Sequence, residues 1–237
     1  MSLWRTQFQT MLQALAVTML TASIAAAEVP GLCNTGQTPA TPAGCTGELA
    51  TPNPPGGGPN RDGNWGVGYR PLSDEHNPCL LRAFVSAWVD TPNGDWLPNS
   101  ASPDSEWITR YDGEGNIPSG WYVYVTKFPV PATLRSGIVP ARVIINGRLS
   151  SDNSTYALYV ESPANSGACT IVRGLPIPIN SDVDWSQWVD FSFTHPVYAG
   201  ADAYLFVVVQ NEYNSGLSNG DSPTGLRVEF LSTSAFQ

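Results

Sequence analysis

The C-terminal stretch Ala201–Leu231 constrains the fold more than any other part of the chain. It contains two apolar runs, Ala203–Gln210 and Gly225–Leu231, separated by the polar segment Asn211–Thr224. The first run is apolar throughout its centre, which is typical of a strand in the middle of a sheet with both faces covered. Two such strands are not stable alone. The rest of the chain must therefore supply a second sheet.

The second apolar run alternates with a period of two residues, which indicates a half-buried strand. Its inward positions are Leu226, Val228 and Phe230, and its outward positions are Arg227 and Glu229. Further strand signals, separated by Gly, Pro and Asn turns, are Trp65–Arg70, Leu80–Val89, Glu106–Tyr111, Trp121–Phe128, Ala141–Arg148, Thr155–Glu161, Ala168–Arg173 and Val189–His195. Helical periodicity is missing. The pattern predicts an all-β fold, an antiparallel β-sandwich of jelly-roll type with about nine strands.

The first residues have the pattern of a secretory signal peptide, with Arg5 before the largely apolar Met11–Ile24 and a small-residue cleavage site at Ala25–Ala27. We therefore predict a signal peptide over 1–27, a Pro/Gly-rich spacer over 28–63 and a single β-sandwich domain over 64–237. The expected location is secreted or extracellular, with the bacterial cell surface or the periplasm included. An uncleaved N-terminal anchor is the alternative, and no later segment is apolar enough for a transmembrane anchor.

The charge of the chain narrows the range of expected partners, and its cysteine content predicts disulfides. The formal charge is −9, with 20 acidic residues against 11 basic ones, so nucleic acid is not an expected partner. Four cysteines in an exported chain predict two disulfides. Three pairings are open, and we expect the most local one, Cys33–Cys45, which leaves Cys79–Cys169.

Several segments in sequence order resemble a known family. Asp152-Asn153 match its strand-connecting turn, Gly200–Val209 match its long apolar strand, and Pro223–Val228 match its ending. The family is the galactose-binding-like jelly roll of exported bacterial proteins, many of which carry a PEP-CTERM sorting tail. The chain is also similar to the sugar-binding accessory domain of some β-glycosidases. The resemblance covers Trp121–Leu231 and implies a jelly-roll fold without a catalytic signature.

Two departures from the family pattern affect what the resemblance implies. Ser162–Gly167 replaces a short Asn-Gly hairpin. The chain ends at Gln237 without a hydrophobic anchor or a basic cluster, so we expect the sorting tail to be absent.

Candidate binding residues lie in loops between the predicted strands. We expect the Asp152-Asn153 turn and the Asn211–Ser222 loop to lie at the same end of the sandwich and to present polar side chains there. Tryptophans in polar loops add aromatic faces, on which sugars stack. The predicted ligand-binding residues are Asp152, Asn153, Asn211, Glu212, Tyr213, Asn214, Trp185 and Trp188, and Trp96 is a further tryptophan of this kind. The alternatives are turn geometry for the polar residues and core packing for the tryptophans.

A structural Ca²⁺ site is a second hypothesis for the same loops. Asp152, Asn211 and Asn214 would supply oxygen ligands, although calcium takes six to eight of them. No other cofactor is indicated.

Catalytic motifs are missing from the sequence, and we predict that the chain is not an enzyme. The preferred hypothesis is a secreted, non-catalytic β-sandwich that binds a glycan or an extracellular matrix polymer. The alternative is a structural subunit that self-associates in an extracellular filament or surface layer. A hydrolase with a dispersed catalytic site is a third hypothesis.

Overall fold

The computed structural model describes residues 29, 32–36, 61–74, 83–90, 96–102, 104–111, 117–134, 141–161, 169–171, 185–211 and 224–236. The predicted signal peptide lies outside these residues.

Strands dominate the described residues. In chain order they are β1 Arg61–Arg70, β2 Val85–Asp90, β3 Trp107–Thr109, β4 Gly120–Pro129, β5 Ala141–Asp152, β6 Ser154–Glu161, β7 Cys169–Ile171, β8 Val189–Val197, β9 Asp202–Asn211 and β10 Gly225–Phe236. Helical structure in this part of the chain is limited to single 3₁₀ turns at Asn99–Ala101 and Ala132–Leu134. Each predicted strand has a counterpart. β5 and β10 extend further than their apolar patterns suggest, because their later residues still form ladder hydrogen bonds.

The strands pair antiparallel in the order β7-β6-β9-β4-β1-β2-β3-β10-β5-β8. Inward side chains from both halves of this order meet in one main core. Its members include Leu158, Leu205 and Tyr124 from the first half and Val143, Phe193 and Leu226 from the second. The fold is therefore an antiparallel β-sandwich of jelly-roll type, as the sequence pattern predicts.

The apolar run of β9 is covered on both faces, which confirms that prediction. Leu205 and Val207 lie in the main core, whereas Phe206 and Val208 belong to a second apolar cluster on the opposite side of the sheet. Phe84, which precedes β2, packs against this second cluster, with its ring centroid 6.2 Å from that of Phe206. Both faces of the β4–β9 pair are thus removed from water.

Residues 29 and 32–36 pack into the sandwich, so the interpretation of 28–63 as a spacer is wrong for them. Val29 and Cys33 are buried, and the Trp65 indole N–H donates to the Cys33 carbonyl at 2.8 Å. The sandwich also begins earlier than residue 64, since β1 starts at Arg61. Composition alone misled here because Val29 and Cys33, two of the few apolar residues of this segment, are buried in the fold.

This N-terminal segment continues the sheet beside β10. The Thr35 N–H donates to the Val228 carbonyl at 3.1 Å, and the Val228 N–H donates to the Thr35 hydroxyl at 3.0 Å. Asn34 Oδ1 accepts the Phe230 N–H at 2.7 Å. On the other side, the Glu106 N–H donates to the Thr35 carbonyl at 2.8 Å. The segment therefore satisfies backbone groups of β10 that β3 is too short to reach.

Asp62 in β1 fixes the end of the same segment. Its carboxylate oxygens accept the Gly36 N–H at 2.7 Å and the Asn64 N–H at 2.8 Å. Burial raises the pKa of Asp62 to about 7, against the lowering effect of these backbone donors. Gly36 has φ 77°, and a Cβ there would lie 2.9 Å from the Glu106 backbone nitrogen. Only glycine fits this close approach.

Cys33 is disulfide-bonded, and its partner is not among the side chains that the structure describes. The pairings Cys33–Cys45 and Cys79–Cys169 therefore stay predictions. Within the part of the chain that the structure describes, no helix is long and apolar enough to cross a membrane.

Candidate functional site

The pairing of the strands places the Asp152-Asn153 turn next to both ends of the predicted binding loop, Asn211–Ser222. Asp152 pairs with Gly225 at the start of β10, and Ser154 pairs with Gln210 near the end of β9. Asn153 has φ 74°, the left-handed conformation that asparagine tolerates in turns. Of the predicted loop residues, Glu212, Tyr213 and Asn214 lie outside the described residues.

Asp152 does not present its carboxylate to solvent, which corrects the expectation of an open polar turn. It is only 8% exposed. The Trp96 indole N–H and the Asn153 backbone N–H donate to its carboxyl group. Its Oδ2 has no hydrogen-bond partner among the described residues. Burial, the largest effect, raises the pKa of Asp152 to about 7, because the charged form is poorly solvated there.

Asn211 is also buried, so its side chain is not presented to solvent. Its side-chain Nδ2 donates to the carbonyls of Ile117 and Pro118 at 3.3 and 3.2 Å. The Tyr122 hydroxyl donates to the same Pro118 carbonyl at 2.8 Å. Asn211 therefore ties the segment before β4 to the end of β9, which is a structural role.

The free energy of unfolding should fall between about pH 4 and pH 7 in part because of Asp152. Its pKa is raised from 3.8 to about 7 in the folded protein, so the folded state binds this proton more tightly than the unfolded state does. That stabilisation is fully present below pH 4 and is lost as the pH rises through 7. Asp152→Asn should flatten this part of a melting-temperature profile measured from pH 4 to 8.

Asp190→Asn, at an exposed position on β8, is the control for removing a charge. The idea fails if the profile of Asp152→Asn runs parallel to that of the unchanged protein.

Trp96 belongs to a loop that covers the outer face of β10. Its described residues are 96–102 and 104–105, and we call it the 96–105 loop. Trp96 is buried, with its ring centroid 4.5 Å from that of Trp107, so its role is core packing rather than an open sugar platform. The Trp107 indole N–H donates to the Leu97 carbonyl at 2.7 Å. A Cβ at Gly225 would lie 2.8 Å from the Trp96 ring. The indole thus packs directly on the backbone of β10.

Arg227 holds this loop in place. It is fully buried, although the alternation of β10 predicts an outward position open to water. Its guanidinium donates to five backbone carbonyls and one hydroxyl. The acceptors are the carbonyls of Leu97 (3.4 Å), Pro98 (2.9 Å), Asn99 (3.3 Å), Ser102 (2.9 Å) and Ser105 (2.7 Å) and the Ser105 hydroxyl (3.0 Å). A loop with little regular structure is therefore ordered around one side chain.

Glu229 is the second outward position of β10 and is also buried. Its Oε2 accepts Arg148 Nε at 3.0 Å and Arg148 Nη2 at 2.8 Å, and its Oε1 accepts the Ser102 hydroxyl at 3.1 Å. The prediction that β10 is a half-buried strand is therefore wrong around Arg227 and Glu229. The 96–105 loop covers the face that was expected to be exposed to water.

The ring of Trp188 lies over the guanidinium groups of Arg148 and Arg227. The guanidinium carbons of Arg148 and Arg227 are 4.5 and 4.9 Å from its ring centroid. Its indole is partly exposed. Trp185 is also partly exposed, and its carbonyl accepts the Leu97 N–H at 2.6 Å. Both predicted tryptophans therefore lie beside the 96–105 loop, Trp188 through its ring and Trp185 through its backbone carbonyl.

The structure thus separates the predicted site residues into two groups. Asp152 and Asn211 are buried and have structural contacts at the end of the sandwich. Trp185 and Trp188 are partly exposed and lie beside the 96–105 loop. The residues that sequence reasoning missed are Arg148 and Arg227, which support Trp188. The one available signal was Arg227, a charged residue within an apolar run.

Metal ligands are not concentrated in the described residues, where no three His, Cys, Asp or Glu side chains come together. Asp152 and Asn211 have the structural partners given above. The calcium hypothesis, which also needs Asn214, stays a prediction.

Comparison with known protein families and with curated proteins finds no match. Among solved structures, the chain is similar to a family 35 carbohydrate-binding module from an environmental isolate. The identity is 12%, the match covers 61% of this chain and 83% of that one, and the TM-score is 0.28. A likeness this distant carries no argument. What this chain's own residues define is a jelly-roll β-sandwich with a supported, partly exposed tryptophan on one outer sheet face.

Proposed function

We propose that this chain is a secreted, non-catalytic β-sandwich module that binds a glycan or an extracellular matrix polymer. The observation that carries the proposal is the partly exposed Trp188 indole, supported by Arg148 and Arg227. An indole offers a flat apolar face with a polar edge. Sugar rings have C–H faces that stack on such surfaces, while their hydroxyl groups bond to nearby polar side chains.

The support beneath Trp188 favours binding for an energetic reason. Arg227 is fixed by its six acceptors, and Arg148 is fixed by Glu229. An indole that rests on two fixed guanidinium groups has little freedom to lose when a ligand arrives. A ring held in this way is better suited to binding than a tryptophan on a free loop.

Other parts of the proposal come from sequence alone. Residues 1–27 are proposed to direct export. Glu212, Tyr213 and Asn214 are proposed as further ligand contacts, and Ca²⁺ as a structural ion. A glycan array run with and without Ca²⁺ tests glycan binding and its dependence on the ion.

A structural or assembly role is the second candidate, and one observation favours it. The order of the described strands begins at β7 and ends at β8, so each has one side that no described strand pairs with. Unpaired strand edges are templates for adding another chain. Size-exclusion chromatography separates the candidates, since a filament subunit forms large species as its concentration rises.

Trp188→Ala should weaken glycan binding about tenfold or more, since a well-packed aromatic contact contributes well over 1 kcal/mol. The measurement is isothermal titration with the best ligand from the glycan array. Tyr198→Ala is the matched control, because Tyr198 is an exposed aromatic residue beyond the end of β8 (48% exposed). Equal affinities for Trp188→Ala and the unchanged protein would exclude Trp188 as the binding surface.

A further inference from the structure

The outer face of β8, β5 and β10 continues from Trp188 as an ordered polar surface, which we name the polar sheet face. Its residues are Asp190, Ser192 and Thr194 from β8, Arg142, Ile144, Asn146 and Arg148 from β5, and Glu229, Ser232 and Ser234 from β10. Asp190 is opposite Arg148, Ser192 is opposite Asn146, and Thr194 is opposite Ile144. The loop that covers β10 near Arg227 leaves the β8 side of this surface open, since all three β8 residues are exposed.

Asn146 is fixed at the centre of the polar sheet face. Its Nδ2 donates to the Ser232 hydroxyl at 2.9 Å, and its Oδ1 accepts the Ser192 hydroxyl at 2.5 Å. An amide has two N–H donors and two acceptor lone pairs, and each hydroxyl can accept as well as donate. This trio from three strands therefore holds its geometry and keeps further hydrogen-bonding capacity for a ligand that lies across it.

The charges of the polar sheet face nearly balance, unlike those of the chain as a whole. Arg142 and Arg148 are matched by Asp190 and Glu229, and the covered Arg227 beneath Trp188 adds one positive charge, whereas the full chain has a formal charge of −9. Arg148 is also bonded to Glu229 at 2.8 Å. A surface of nearly balanced charge with amide and hydroxyl groups complements a neutral, hydroxyl-rich partner. It gives little net attraction to an anionic polymer.

The shape of the face suggests an extended partner. Alternate residues of a strand point to the same side, so Trp188 and the exposed positions of β8 form one row. Thr194 is six positions after Trp188, which corresponds to about 20 Å of extended strand. A row of that length is longer than a single sugar and can contact several consecutive units of a chain.

We propose that the polar sheet face binds an extended stretch of a neutral polysaccharide, which stacks on Trp188 and runs along β8 over the Asn146–Ser192–Ser232 trio. This inference deepens the proposed function and rests on it. It moves the ligand from the loop end of the sandwich, where Asp152 and Asn211 are buried, to an open sheet face.

The test compares polymer binding by the full chain with binding by two variants that obstruct the face, Ser192→Arg and Thr194→Arg. Both positions are exposed, and a long charged side chain there should block a polymer. Affinity electrophoresis through gels containing mixed-linkage β-glucan, galactomannan or xylan gives the neutral-polymer affinities, and polygalacturonate is the anionic probe. We expect each variant to weaken binding to the preferred neutral polymer tenfold or more.

Ser73→Arg is the matched control, since Ser73 is an exposed serine between β1 and β2, and it should bind like the unchanged protein. Thermal melting of every variant checks that the fold persists. If one blocking variant unfolds, the other still tests the proposal.

The outcomes separate this inference from the proposed function. If Trp188→Ala weakens binding and both blocking variants bind normally, the polar sheet face is not the site, while the proposed function stands. A preference for polygalacturonate would overturn the assignment of a neutral ligand. If the unchanged protein binds no glycan on the array and none of the polymers, both proposals are wrong.

Discussion

Arg227→Ala should lower the free energy of unfolding by about 3–5 kcal/mol, the range expected when one partner of a buried charged network is removed. The variant removes the arginine's hydrogen bonds to five backbone carbonyls of the 96–105 loop. The Leu97, Pro98 and Asn99 carbonyls keep a second donor, whereas those of Ser102 and Ser105 lose a short bond to a buried charged group. It also removes one of the two cations beneath Trp188. Denaturant unfolding followed by tryptophan fluorescence measures the loss.

Arg142→Ala is the control, because Arg142 is an exposed arginine on the neighbouring strand β5, and its cost should be within about 0.5 kcal/mol. Arg227→Lys should recover only part of the loss, since an ammonium group has three donors and cannot reproduce the planar fork of a guanidinium. A cost below about 1 kcal/mol for Arg227→Ala would mean that the loop is ordered by other contacts.

Removing the N-terminal segment should have a comparable effect. A chain that begins at Gln37 instead of Glu28 should lose about 3–5 kcal/mol of unfolding free energy, through lost burial and unpaired backbone groups. The Val228 and Phe230 N–H groups lose the acceptors on Thr35 and Asn34, and the Trp65 indole loses the Cys33 carbonyl. The measurement is denaturant unfolding of the two chains side by side.

Cys33→Ser in the longer chain separates the disulfide from the docking of the segment. If the shorter chain is as stable as the longer one, the segment is a spacer after all. If Cys33→Ser alone accounts for the loss, the hydrogen bonds beside β10 contribute little.

The strands of this protein were predictable because each signal is local. Period-two alternation in β8 and the apolar runs of β4 and β9 report which faces are covered. The position of the turn between β5 and β6 also follows from sequence, because Asp and Asn are favoured in turns.

The segments that cover the sheets were not predictable, because their positions depend on contacts between distant parts of the chain. Arg227 has the alternation of a solvated position, yet its acceptors lie more than 120 residues earlier, in a loop without periodicity. Thr35 is in a segment whose composition is typical of a linker, yet it bonds to Val228, 193 residues later. Asp152 has the chemistry of a loop ligand, but only coordinates reveal that Trp96 covers it.

The irregularity in β10 between Phe230 and Ser232 has a consequence for insertions and deletions. Phe230 is opposite Gly147 and Ser232 is opposite Asn146, so Leu231 is an extra residue, 57% exposed, that has no counterpart in β5. A deletion of Leu231 that restored regular pairing would leave Ser232 opposite Asn146. A deletion anywhere between Ser232 and Phe236 would instead exchange the inward and outward sets beyond it. The last strand can therefore lose Leu231 without a change in which side chains face the core, whereas the loss of Thr233 would bring the Ser234 hydroxyl to the inward position opposite Ile145.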